Sequence, residues 1–97
     1  MLSNFRTYHL AVALYKSCEK IRAPSHLKDQ LLRASLSVVL NLSEGSAKPT
    51  PKERRRFYSI AFASLRETQS CLTLINRPDE LAVADAIGGC LFKLSRG

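Results

Sequence analysis

Six basic residues crowd the middle of the chain: Lys48, Lys52, Arg54, Arg55, Arg56 and Arg66. Between Lys48 and Arg56 the only acid is Glu53. Ammonium and guanidinium groups hold phosphates through charge-assisted hydrogen bonds. Several such contacts along a nucleic-acid backbone give binding that is sequence-independent and strongly salt-dependent. At ~100° per residue, Arg54 to Arg56 fan over about 200° of a helix, so they do not all face one groove. Arg55 shares a face with Ser59, Arg66 and Thr73, and Lys52 extends that line toward the helix start. The free backbone N–H groups and positive dipole end of such a start also attract phosphate. The same charges have a plainer use, as a solvated surface that keeps the protein soluble.

Other residue types offer less chemistry. Asn41, Glu44 and Glu67 stand at the polar edges of apolar faces. Paired carboxylates doing acid–base work need a cleft between them, which short helices barely provide. A structural role is the better reading, with Asn41 and Glu44 satisfying helix ends or pairing with Arg33 or Arg66. His9 and His26 have no second ligand at metal-binding spacing. Cys18, Cys71 and Cys90 are an odd number without CxxC or Cys/His spacing, and read as small buried hydrophobes in a reducing compartment. There is no G-x-S-x-G and no Ser/His/Asp set. Gly88-Gly89 lacks the strand and lysine of a phosphate loop. Neither a catalytic residue, a metal site nor a cofactor is expected, and the chain does not read as an enzyme.

The elements that must position these residues are helices. The formal net charge is +7, from 15 Lys and Arg against 8 Asp and Glu, which raises affinity for polyanions. Ninety-seven residues without tryptophan and with only four glycines and four prolines suit one small all-α domain spanning 1–97. The chain is organised around Leu31 to Ala47, LLRASLSVVLNLSEGSA. Leu27, Leu31, Ala34, Val38 and Leu42 fall on one helical face, and Leu32, Leu36, Val39 and Leu40 on the opposite side. A surface helix needs one apolar stripe of ~100°. This one is apolar over most of its circumference and predicts burial on two sides, the second against another subunit.

Four helices are predicted, at about Asn4–Arg22, Ser25–Glu44, Pro51–Ile75 and Asp79–Leu94, arranged as an up-down-up-down four-helix bundle. Ala23-Pro24 ends the first, and Ser25 caps the second. Gly45 suits a left-handed cap at the end of the second. Thr50-Pro51-Lys52-Glu53 is a capping box with proline at the first helical position. Along the third helix, Phe57, Ile60, Ala61, Ser64, Leu65, Thr68, Cys71, Leu72 and Ile75 form the inner stripe. Tyr58, Phe62 and Gln69 form an adjoining strip, which either joins Leu36 and Leu40 in an oligomer interface or lies under the fourth helix. Gly88-Gly89 costs that last helix ~2 kcal/mol in propensity and predicts fraying or a kink.

The segment RASLSVVLNLSEG, Arg33 to Gly45, resembles the RA-x-x-S-I-x-x-NIAEG segment of the four-helix-bundle 23S ribosomal RNA intervening-sequence proteins. That family includes the accessory variability protein of diversity-generating retroelements. FYSIAFASLRETQSCL, from Phe57, is similar to the family's F-L-x-I-A-x-G-S-x-x-E-x-x-x-x-L. The resemblance implies a homo-oligomer, a pentameric ring, and a nucleic-acid partner, with a reverse transcriptase or another nucleic-acid enzyme as a second partner. The expected function is a basic, non-enzymatic scaffold that binds nucleic acid. The alternative is a structural protein-interaction module whose charge serves solubility alone. MLSNFRTYHL has no long apolar run behind its charges, and no window approaches ~18 apolar residues. A cytoplasmic protein without a membrane partner is expected.

Overall fold

The computed structural model describes residues 2–97 as four helices: α1 Leu2–Glu19, α2 Ser25–Ala47, α3 Pro51–Ile75 and α4 Pro78–Arg96. The described residues include no strand. The fold is all-α. Each helix packs on its neighbours in sequence, and α4 closes back onto α1.

The limits of α3 follow directly from local chemistry. The Thr50 hydroxyl accepts from the Glu53 N–H at 3.2 Å and donates to the Glu53 carboxylate at 2.9 Å, with Pro51 at the first helical position. At the other end Asn76 adopts the left-handed conformation, φ 66° and ψ 58°. Its N–H bonds the Thr73 carbonyl at 3.1 Å while the Arg77 N–H bonds that of Leu72 at 2.9 Å, closing the last turn in a Schellman motif.

α1 stops sooner than Ala23-Pro24 predicts. Lys20 and Ile21 donate three residues back, to Ser17 and Cys18, which tightens the turn and buries Ile21. The Lys28 ammonium, from α2, then caps the freed carbonyls of Glu19 and Ile21. Pro24, not Ser25, holds the cap position of α2, with no side-chain cap. Its carbonyl accepts from both Leu27 and Lys28.

The central helix also differs at its end. α2 runs through Gly45 to Ala47, and no glycine has positive φ among the described residues. Gly45 is needed for space instead of conformation. A Cβ there would stand 2.7 Å from Tyr58 Cε1 and 3.2 Å from Phe57 Cβ. The missing side chain lets the Tyr58 ring lie against the α2 backbone, and Tyr58 is only 3% exposed.

That contact rotates the buried face of α3 relative to the predicted stripe. Tyr58 joins Ala61, Ser64, Leu65, Thr68, Cys71 and Leu72 inside, while Ile60 is 41% exposed. The strip of Tyr58, Phe62 and Gln69 is not an open surface. Phe62 meets Phe92 of α4 edge to face at 6.1 Å, and Gln69 donates to Asp85 of α4 at 2.9 Å. Tyr58 and Phe62 therefore leave the expected oligomer interface; Leu36 and Leu40 remain on the outside.

α4 passes through Gly88-Gly89 without interruption. Gly88 is buried where a Cβ would meet Leu65 Cδ2 at 3.2 Å, so it sets how closely α4 approaches α3. Gly89 faces open space.

Candidate nucleic-acid interface

The six predicted basic residues separate into two groups because the helix turns ~100° between neighbours. Arg54 points back toward the end of α2 and donates to the Lys48 carbonyl at 3.0 Å, which ties down the linker. Lys48 pairs with Glu44 at 3.3 Å and lies 5.0 Å over the Phe57 ring, which Arg56 approaches at 5.9 Å. These three cations are engaged by a carbonyl, a carboxylate and an aromatic ring. They hold the α2–α3 corner.

Arg55 and Arg66 form the second group, on the side of α3 that meets α4. They are separated by three turns, about 16 Å of rise, with the exposed Ser59 between them. Lys52 is exposed at the N-terminal end of this line. Arg66 lies 6.0 Å over Phe62, and Arg55 donates to the Gly97 carbonyl at 3.4 Å.

The structure adds two residues that sequence reasoning left in the last helix. Phe92, 46% exposed, carries Arg96 over its ring at 4.5 Å and touches Phe62 with its edge. A continuous ridge results: Arg66, Phe62, Phe92, Arg96, with Arg55 beside the end of α4. The sequence signal was present in Phe92-x-x-x-Arg96, an aromatic and a cation one helical turn apart. What it lacked was the register of α4 on α3, which Gly88 against Leu65 and Asp85 against Gln69 establish. Asp85 is an anionic group at the far end of this groove.

The start of α3 is a poorer phosphate site than expected. Pro51 has no N–H, that of Glu53 is taken by the Thr50 hydroxyl, and that of Arg54 by the Thr50 carbonyl at 3.0 Å. The Glu53 carboxylate also sits there. Of the first-turn N–H groups only that of Lys52 is left over, so attraction to phosphate rests chiefly on side chains.

The polar residues of α2 make their contacts within the chain. Asn41 donates to the Ser37 carbonyl at 2.9 Å and its hydroxyl at 3.1 Å, and Ser37 shares a 2.7 Å hydrogen bond with Ser64 of α3. Ser37 thus bridges the two helices, with Asn41 bonded to it from within α2 instead of pairing with Arg33 or Arg66, and Glu44 takes Lys48. Glu67 is exposed on α3.

The cysteines are free thiols, two buried and one half-buried. Burial pushes the Cys18 thiol up to about 11 despite the Ser35 hydroxyl beside it, so it stays protonated and unreactive at neutral pH. Burial raises Cys71 as well, with Glu67 adding to it.

Among the described residues no helix is long and apolar enough to cross a membrane. Neither a curated protein nor a solved structure matches the chain. The sequence profile of one family does match, over residues 5–86, and this covers both motif segments together with the polar seam and the basic face of α3. The chain belongs to the 23S rRNA-intervening sequence protein family.

Proposed function

We propose that the protein is a non-enzymatic, basic scaffold that binds the backbone of nucleic acid along the α3–α4 face, as an oligomer of up-down-up-down bundles. The carrying observation is the ridge on which Arg55, Arg66 and Arg96 line up beside two aromatic rings. A net charge of +7 supplies long-range attraction, and the family's name associates its members with ribosomal RNA. Outward-facing Leu36, Leu40 and Ile60 support assembly, and the family resemblance implies a pentameric ring. A nucleic-acid enzyme as second partner, a cytoplasmic location and the absence of catalysis belong to the same reading.

Removing three phosphate contacts tests it. Lys52→Ala, Arg55→Ala and Arg66→Ala together should weaken RNA and DNA binding alike. Each lost contact should lower the slope of log affinity against log salt by about 0.9. Fluorescence anisotropy across a salt series reads both quantities. A wild type that binds nothing at low salt overturns the proposal in favour of a protein-interaction module. An unaltered slope would move the site elsewhere, with exposed Arg6 and Lys16 of α1 and Lys20 just after it next in line.

A further inference from the structure

We infer that the α3–α4 ridge takes single-stranded nucleic acid in preference to duplex, with Phe92 as the base-stacking residue. This rests on the nucleic-acid reading of the same face and adds to it the form of the ligand. Backbone contacts alone do not distinguish strand states, because both present phosphates. An aromatic ring does, because only unpaired bases expose a flat face to it.

Phe92 has the features such a ring requires. Nearly half of its surface is open, although it sits at a helix–helix contact. Phe62 braces it edge to face at 6.1 Å. Gly89, three residues earlier and so adjacent on the helix surface, has open space where a side chain would be, leaving room beside the ring. Arg96 lies over the ring at 4.5 Å in the free protein. That guanidinium is held by the aromatic face alone, since no carboxylate pairs with it among the described residues. It can swing to a phosphate and yield the face of Phe92 to a base, exchanging one weak contact for a charge-assisted one. Arg66 over Phe62 repeats the arrangement on α3. The two rings thus meet in the middle of the ridge with a guanidinium at either end, so that a base stacked on Phe92 has a phosphate-binding group beside it.

The test compares a labelled oligouridine with an RNA duplex of the same length, by anisotropy, for the wild type, Phe92→Leu and Phe92→Tyr. Leucine keeps apolar packing on Phe62 without a stacking face, and tyrosine keeps the face. The wild type should bind the single strand more tightly. Phe92→Leu should lose about fivefold or more for the single strand, with an unchanged salt slope and an unchanged duplex affinity. Phe92→Tyr should retain single-strand binding, and all three proteins should show the same helicity by circular dichroism. Equal affinity for both ligands in the wild type, or equal losses for both in Phe92→Leu, overturns the stacking inference while backbone binding stands. Failure of the wild type to bind either ligand at low salt overturns both.

Discussion

Gly45 and Gly89 are both helical glycines, yet opposite effects follow from substituting them. At Gly45 a methyl group would enter a space already occupied by the Tyr58 ring, 2.7 Å away, and the ring is buried against a packed core. Neither the ring nor the backbone can give way cheaply. Gly45→Ala should cost ~1–3 kcal/mol, the usual range for overpacking. At Gly89 the methyl group would meet nothing within 4 Å, and alanine is the better helix former. Gly89→Ala should gain ~0.5–1 kcal/mol. Thermal melts at one fixed protein concentration read both changes, and equal shifts in the same direction would refute the packing account. Only part of this was legible beforehand. The cost of two glycines in α4 is a propensity argument; the kink it predicts is absent, and Gly89→Ala is the substitution that measures the cost. The purpose of Gly45 depends on which residue of α3 lies across from it. An x-x-E-G sequence at a helix end looks the same whether glycine ends the helix or clears a path for a neighbouring ring.

The four helices, their order and the start of α3 were readable because they depend on short-range signals. Thr50-Pro51-Lys52-Glu53 carries its hydrogen-bonding scheme within four residues, and the structure realises it. The ends of α1 and α2 depend instead on residues further along the chain. Lys28 caps α1 from the next helix, and the buried Ile21 draws the connecting segment inward. The rotation of the α3 stripe has a similar origin, since Ile60 and Tyr58 are equally apolar candidates until α2 presents Gly45. At the head of α4, Arg77 donates to both Glu80 oxygens, at 3.0 and 2.8 Å. These bonds hold the Glu80 carboxyl below its ordinary value of 4.5. A depressed folded-state value means that the stabilisation is complete above the ordinary carboxylate range and disappears as pH falls through the depressed value. Glu80→Gln should therefore lose less thermal stability than the wild type when the pH is lowered from about 6 to about 3. The difference should be modest, because the Arg77 side of the pair is open to water and such surface pairs are worth ~1 kcal/mol or less. Identical acid sensitivity in the two proteins would mean that the pair contributes nothing to holding α4.

A chain of 97 residues has little interior, and its outer apolar surface becomes decisive. Single exposed apolar residues are ordinary on a monomer. Here Leu36 and Leu40, 38% and 53% exposed, lie one turn apart on α2. Ile60, 41% exposed, stands one turn before Ser64 on α3, beside the Ser37–Ser64 hydrogen bond between α2 and α3. This side of the molecule is distinct from the basic ridge between α3 and α4. The face proposed for assembly and the face proposed for a polyanion are thus separate, as an oligomeric scaffold requires. The doubly apolar character of α2 was plain in its sequence. Which residues of α3 stand outside beside it was not, because Tyr58 turns inward, Phe62 turns toward α4 and Ile60 is exposed instead. The proposed assembly should have a mass of several times 10.8 kDa by light scattering at micromolar concentration. Leu40→Asp should reduce it to a single subunit, since an unpaired carboxylate buried in each contact costs several kcal/mol. Leu40 is already half in water within the subunit, so the same substitution should leave the helix content of the dissociated protein intact. Loss of helicity together with mass would show that Leu40 supports the bundle itself. A wild type that runs at the mass of one chain would leave the basic ridge as a monomer's binding face and end the oligomer proposal.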